Sequence, residues 1–259
     1  MSVSTHVSAR AAAVGVLPTQ HERRDMCGRY TLFTSPEDLR ERFGATATRP
    51  MEPRYNCAPG QELPVVTNDA PDEFHFLKWG LVPSWADSAS VGNDRINARA
   101  ETVDRKRSFA DAYESRRCLV PTDGFYEWVD RDGSKQPYRV AFEDDRPFAM
   151  AGLWERWTPE TKQTGLGDFG EIGPSREQEP LETFTVITTE PNDLISDLHN
   201  RMAVVLAPEE EETWLHGDIN EVEPLLDTYP GDEMTAYPVS TRVNSPANDG
   251  RDLIEPVDV

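Results

Sequence analysis

What most limits the fold of this chain is how short its apolar runs are. Strand-type segments of a few residues recur at Arg29–Phe33, Leu63–Thr67, Phe74–Gly80, Cys118–Pro121, Phe148–Trp157, Phe184–Thr189 and Ala203–Leu206. Most are bounded by Gly, Pro or Asp, the residues that end strands in tight turns. The turn Thr122-Asp123-Gly124 leads into Phe125–Val129, and a second turn, Asp130–Lys135, returns the chain through Pro137–Phe142, which predicts a hairpin. Arg54–Gly60 reads as a turn before the Leu63 strand. Helical spacing is confined to short pieces. Ser35-Pro36 supplies an N-cap and a first-turn proline, Leu39 and Phe43 an apolar stripe, and Gly44 a stop. Further short helices are predicted around Ser108–Arg116, Pro191–Leu198 and Pro208–Leu215. There are no internal repeats. The expectation is an α+β fold: a single domain with a mostly antiparallel, barrel-like β-sheet core and peripheral helices. It spans residues 27–257, with an aperiodic, exposed insertion at about 158–180 and a separate extension at 1–26.

The chain carries 47 acidic and 26 basic residues, a formal charge of -21. Nucleic-acid binders normally show a basic footprint, so any basic site must be local. Sparse lysine and an acidic surface suit a salt-loving source. No apolar run spans a bilayer, so no membrane partner is expected. Three cysteines, Cys27, Cys57 and Cys118, form neither a disulfide framework nor a CxxC pair. That predicts a reducing cytoplasm, no metal and no cofactor.

The first 25 residues differ from the rest. No Asp or Glu occurs before Glu22. Such a segment reads as a mis-assigned start, a removed leader or a disordered tail, and the first is favoured because an untranslated stretch escapes the acidic bias. Met26 directly precedes Cys27. If translation starts at Met26 and the methionine is trimmed, Cys27 carries a free α-amine beside a thiol. With pKa values of about 8 and about 8.5, both are partly reactive near neutrality. Such a pair condenses with an aldehyde: the amine forms an imine, and the thiol closes on the imine carbon to give a thiazolidine. Taken alone, Cys27 is as simply a small buried apolar residue.

Other candidates have the same double aspect. Glu127 stands among Phe125, Tyr126 and Trp128, where desolvation would suit it to acid–base work, or it lies on an exposed hairpin face. His199 ends a helix, as a proton carrier or a structural histidine. Asn97 could orient an amine or make a turn. Arg29, Arg99 and Arg201 lie within two residues of Cys27, Asn97 and His199, as a phosphate-binding set would, or as three unrelated surface ion pairs. Trp85, in the loop Leu81-Val82-Pro83-Ser84-Trp85, could stack on bases or cap the core.

Six ordered motifs decide between these aspects: Met26-Cys27-Gly28-Arg29-Tyr30; Arg54-Tyr55-Asn56-Cys57-Ala58-Pro59; Trp79-Gly80-Leu81-Val82-Pro83-Ser84-Trp85; Ile96-Asn97-Ala98-Arg99-Ala100-Glu101-Thr102; Cys118-Leu119-Val120-Pro121 with Asp123-Gly124-Phe125-Tyr126-Glu127-Trp128; and His199-Asn200-Arg201-Met202. Together they resemble the SOS response-associated peptidase (SRAP) family of abasic-site shielding proteins, from Cys27 almost to the C-terminus. The resemblance implies a groove for single-stranded DNA and capture of abasic sites through a thiazolidine cross-link, a lyase-type Schiff-base chemistry. It implies Cys27 as nucleophile, Asn97 holding its amine, Glu127 as general acid/base and His199 assisting proton transfer. Arg29, Arg99 and Arg201 would hold phosphates, with Asn56 and Thr188 as secondary contacts and Trp85 as the stacking wedge. Ala86 stands where the family often has a second bulky residue.

The family's peptidase label fits autoproteolytic exposure of Cys27. The resemblance also implies a prokaryotic cytoplasmic, nucleoid-associated monomer whose partners are single-stranded DNA and replication-fork proteins. The alternatives are a thiol peptidase acting on other proteins through Cys27 and His199, and a non-catalytic single-strand binding module.

Overall fold

The computed structural model describes residues 28–131, 133–159 and 179–259. The 1–26 extension, Cys27 and nearly all of the 158–180 insertion lie outside the described residues.

The strands among the described residues are β1 (Tyr30–Leu32), β2 (Thr46–Ala47), β3 (Arg54–Cys57), β4 (Glu62–Thr67), β5 (Ala70–Trp79), β6 (Asn97–Arg99), β7 (Arg117–Thr122), β8 (Gly124–Arg131), β9 (Ser134–Phe142), β10 (Phe148–Trp157), β11 (Leu181–Thr189), β12 (Met202–Ala203), β13 (Val205–Leu206) and β14 (Met234–Pro238). Antiparallel pairs join β11 to β10, β10 to β7, β7 to β4 and β4 to β5. A parallel pair, Thr183 to Lys78 and Phe184 to Trp79, then links β11 back to β5. The ring is therefore closed, a five-strand barrel, and the expected barrel-like α+β core is what forms. Closure leaves the five ring strands no open edge among themselves. β7 and β10 read as continuous apolar runs because both faces are covered, and every residue of β7 is buried.

A second sheet, in the order β14-β9-β8-β1-β3, lies beside the barrel. Tyr30 joins the two. It is fully buried, and its ring sits 5.3 Å from that of Trp79 on β5. Phe125 enters the main core, whereas Tyr126 and Trp128 pack into a smaller cluster with Val239, Val243 and Leu253. The period-two alternation of β8 thus puts Glu127 on the same face as Phe125.

Two segments differ from the sequence reading. Arg54–Cys57, expected to be part of a turn, is edge strand β3; the turn comes later, at Gly60 with φ +85°. Ala203–Leu206, expected to be one strand, is divided at Val204, with β12 pairing β11 and β13 pairing β10. The α-helices among the described residues are short and peripheral, as expected: α1 (Pro36–Phe43), α2 (Ala110–Ser115), α3 (Asp193–Ser196), α4 (Glu211–His216) and α5 (Ile219–Val222). Ser35 caps α1 by accepting from the Asp38 N–H. Asn192 caps α3 by accepting from the Ile195 N–H, so this helix begins later than Pro191 suggested. Among the described residues no helix is long and apolar enough to cross a membrane.

Candidate functional site

β1 brings the first described residues against β8. Tyr30 pairs with Phe125 and Thr31 with Gly124, and the Tyr126 N–H donates to the Arg29 carbonyl at 3.0 Å. Continued backwards, the same register sets Gly28 across from Glu127. The far end of β1 is fixed by Asp123, whose carboxylate accepts from the Phe33 and Thr34 N–H groups and the Thr34 hydroxyl. Burial pushes the Asp123 carboxyl up, while those donors pull it back.

Glu127 is almost completely buried, and its Oε2 lies 3.7 Å from His199 Nδ1. This excludes the exposed-face alternative for Glu127. His199 follows α3, where its own N–H donates to the Ile195 carbonyl at 2.8 Å. The Arg201 N–H lies 3.2 Å from His199 Nδ1, and the Arg201 carbonyl 3.1 Å from it. A neutral ring with its proton on Nε2 accepts that N–H; a protonated ring instead offers Nδ1–H to the carbonyl or to Glu127.

Asn97 begins β6, which runs parallel to β11: Asn97 pairs with Val186 and Arg99 with Thr188. The Asn97 side chain is buried. Thr188 links β6 to the His199 segment. Its hydroxyl donates to the Ala98 carbonyl at 3.4 Å, and its own carbonyl accepts from Arg201 Nη2 at 2.5 Å. The fold thus draws Asn97, Arg99, His199 and Arg201 to one place and Glu127 to His199. The short connections 95–99 and 199–202 carry all but Glu127.

The arginines are held in three different ways. Arg201 is forked onto the Glu101 carboxylate through both Nη atoms, which holds the Glu101 carboxyl below the usual range. Glu101 is 46% exposed, so the pair is worth about 0–1 kcal/mol and yields readily to another anion. Arg99 is exposed, with no ion pair among the described residues. Arg29 is half-buried and, among the described residues, is bonded to neutral oxygens only.

Asn56 and Thr188 are both fully buried, and the Asn56 amide is bonded on both of its ends inside the protein. Trp85 is 40% exposed. The start of its loop lies against the segment Ala89–Asp94, where Gly80, with φ +127°, meets Gly92 backbone to backbone; a Cβ at Gly92 would sit 2.3 Å from the Gly80 oxygen. Ala86 turns inward, its carbonyl accepting from Trp157 Nε1 at 2.7 Å, so this position faces the core.

The sequence reading missed Arg107, whose guanidinium sits 4.3 Å from the centre of the Trp85 ring. The run Arg105-Lys106-Arg107 in an acid-rich chain was the available signal. It is a locally basic run that the net charge conceals.

Cys57 and Cys118 are fully buried, and burial pushes both thiols well above their ordinary range. Both are therefore expected to resist iodoacetamide at neutral pH until the protein is denatured, as peptide mass mapping would show. Labelling of either in the native protein would contradict the packing described above.

Among the described residues no cluster of His, Cys, Asp and Glu could hold a metal ion. With this geometry established, similarity to known proteins is informative. Residues 26–246 match the model of a family described as SOS response associated peptidase (SRAP). The abasic site processing protein YoqW of Bacillus subtilis (strain 168) is 41% identical over 239 residues, covering 89% of this chain and 99% of that protein. The abasic site processing protein HMCES of Gallus gallus is 34% identical over 227 residues, covering 80% of this chain and 67% of that protein. A crystal structure of a protein from Bacteroides thetaiotaomicron superposes with a TM-score of 0.76 at 27% identity, covering 89% of this chain and all of that one.

Proposed function

Because this chain belongs to the SOS response associated peptidase family, we propose that it processes abasic sites in DNA, capturing the lesion's aldehyde on an N-terminal Cys27. The relatives named above are abasic site processing proteins, and the family match begins at Met26, the residue before Cys27. The observation that carries the reading is the meeting of β1 and β8. The chain arrives at Gly28 opposite Glu127, and His199 stands 3.7 Å from that carboxylate. The described chain thus begins on the strand next to the one that carries the buried acid, which supports assigning the aldehyde chemistry to the residue before Gly28.

The chemistry balances without an external reagent. A protonated carboxyl donates to the ring oxygen of the abasic sugar as the bond from that oxygen to the anomeric carbon breaks, and the anomeric hydroxyl returns its proton to the carboxylate as its oxygen becomes the aldehyde carbonyl. The Cys27 α-amine adds to it, and loss of water gives the imine. The thiol then adds across C=N: a C–S bond forms, the thiol proton ends on nitrogen, and the product is a thiazolidine. Glu127 is the group we assign to these proton transfers, with His199 as its relay and Asn97 holding the amine. Arg29, Arg99 and Arg201 meet the phosphates on either side, Arg201 exchanging Glu101 for one of them, and Trp85 backed by Arg107 stacks on a neighbouring base.

The test is intact mass of the protein, alone and after mixing with a single-stranded oligonucleotide carrying one abasic site. A chain beginning at Cys27, together with an adduct that survives denaturation, is expected. A chain beginning at Cys27 that binds the oligonucleotide but leaves no adduct would replace this reading with a non-covalent binding module.

A further inference from the structure

Arg29 is an unusual charge in this molecule. In a chain of net charge -21, no carboxylate pairs with it among the described residues. Arg29 Nη1 donates to Asn56 Oδ1 at 3.1 Å and to the Val243 carbonyl at 2.6 Å, and Nη2 donates to the Asn244 carbonyl at 3.3 Å. Neutral oxygens fix the geometry of a guanidinium but leave its charge in place. Arg201 makes the contrast, since its fork is filled by Glu101.

The acid that could have neutralised Arg29 is near at hand. Asp249 ends the same C-terminal loop, but its carboxylate faces the backbone of β3 instead. Its Oδ1 accepts from the Tyr55 and Asn56 N–H groups at 2.6 and 2.9 Å, and its Oδ2 accepts from Arg54 Nε. Asn56, fully buried, completes the arrangement. Its Nδ2 donates to the carbonyls of Val243, Ser245 and Asn248 at 3.1, 3.1 and 2.8 Å. One amide therefore holds the loop with its nitrogen and Arg29 with its oxygen. The loop is held from the other side by Trp128, whose Nε1 donates to Asn244 Oδ1 at 2.7 Å.

We infer that Asn56 and the C-terminal loop 243–249 are positioning elements of the active site, which hold Arg29 as an uncompensated positive charge for a DNA phosphate. The inference rests on the function proposed above. It reassigns Asn56 from a DNA contact to a residue that acts through Arg29, and it makes the last strand-free stretch of the chain part of the site. An amide is the side chain the position demands. An Asp of the same shape would lose the donor to three carbonyls and cancel the charge it is there to preserve.

The experiment is the salt dependence of binding to an intact single-stranded oligonucleotide. Each phosphate contact contributes about 0.7 to the slope of log K against log salt. Arg29→Ala is expected to lower the slope by about that amount. Asn56→Ala should lower it similarly and add nothing in the Arg29→Ala background, because the two act as one unit. Trp128→Phe, which removes the indole N–H that holds Asn244 and also shrinks a half-buried ring, should lower the slope in part in a protein that stays folded. It keeps the inference testable if Asn56→Ala does not fold. A slope unmoved by Trp128→Phe and by a folded Asn56→Ala, or additive effects of Asn56→Ala and Arg29→Ala, would overturn the inference while leaving the proposed function intact. Wild-type protein that fails to bind the oligonucleotide at all would remove both.

Discussion

Replacing Cys27 with Ala is expected to abolish the denaturation-resistant adduct with abasic DNA while leaving non-covalent binding of single-stranded DNA in place. The two outcomes separate because the groups assigned to phosphate and base contact, Arg29, Arg99, Arg201 and Trp85, are supported by elements other than residue 27. Cys27→Ser sharpens the test. A serine at the N-terminus keeps the α-amine, so an imine still forms, but a hydroxyl is a far poorer nucleophile than a thiol for closing the ring. Borohydride should therefore trap Cys27→Ser on abasic DNA, whereas without a reductant the complex should fall apart on denaturation. A third protein completes the set: the wild-type sequence with residues 1–26 retained. It has the thiol but no α-amine at Cys27, and no adduct is expected from it. If that protein cross-links as well as one beginning at Cys27, the amine is not a reactant and the thiazolidine assignment fails.

Much of this site was legible in the sequence because its parts are local. Asn97 with Arg99, and His199 with Arg201, each come from one short segment whose residues stay together whatever the rest of the chain does. Glu127 was legible as a carboxyl within an aromatic hairpin strand, and the alternation of that strand gave its face correctly. What could not be read were contacts between distant parts of the chain. Asn56 bonds to carbonyls 187 to 192 residues away, and Arg29 to carbonyls 214 and 215 residues away. Nothing in the local pattern of Arg54–Cys57 announces a partner so remote, and a run ending in Pro-Gly reads as a turn. Closure of the barrel is similar. Its decisive pair is parallel and joins Phe184 to Trp79 across more than 100 intervening residues. The hydrophobic pattern says that β5 and β11 are strands; only the three-dimensional packing makes them neighbours.

Glu127→Gln should slow cross-linking by about 10²- to 10⁴-fold, the usual contribution of a positioned acid–base group. Glutamine keeps the size and hydrogen-bonding capacity of the buried side chain but can neither give nor take a proton, so the substitution tests chemistry with little disturbance of packing. The sharper expectation concerns the end point. Ring opening, imine formation and ring closure are reversible, and a proton carrier assists each step in both directions. Removing it lowers forward and reverse rates by the same factor and leaves the equilibrium between free and cross-linked DNA where it was. Over a sufficiently long incubation, Glu127→Gln should therefore approach the wild-type yield of adduct, and preformed adduct should release its DNA as slowly as it forms. A structural role predicts something different: binding of intact single-stranded DNA would weaken, and the final yield would fall with it. His199→Gln separates the relay from the acid. His199 Nδ1 lies 3.7 Å from Glu127 and is tied to the backbone of Arg201, so the proposed relay assists Glu127 without replacing it. The His199 variant should accordingly lose less rate than Glu127→Gln, and the double variant should lose no more than Glu127→Gln alone. Losses that multiply would mean that the two side chains serve separate steps, and the relay assignment would have to be abandoned.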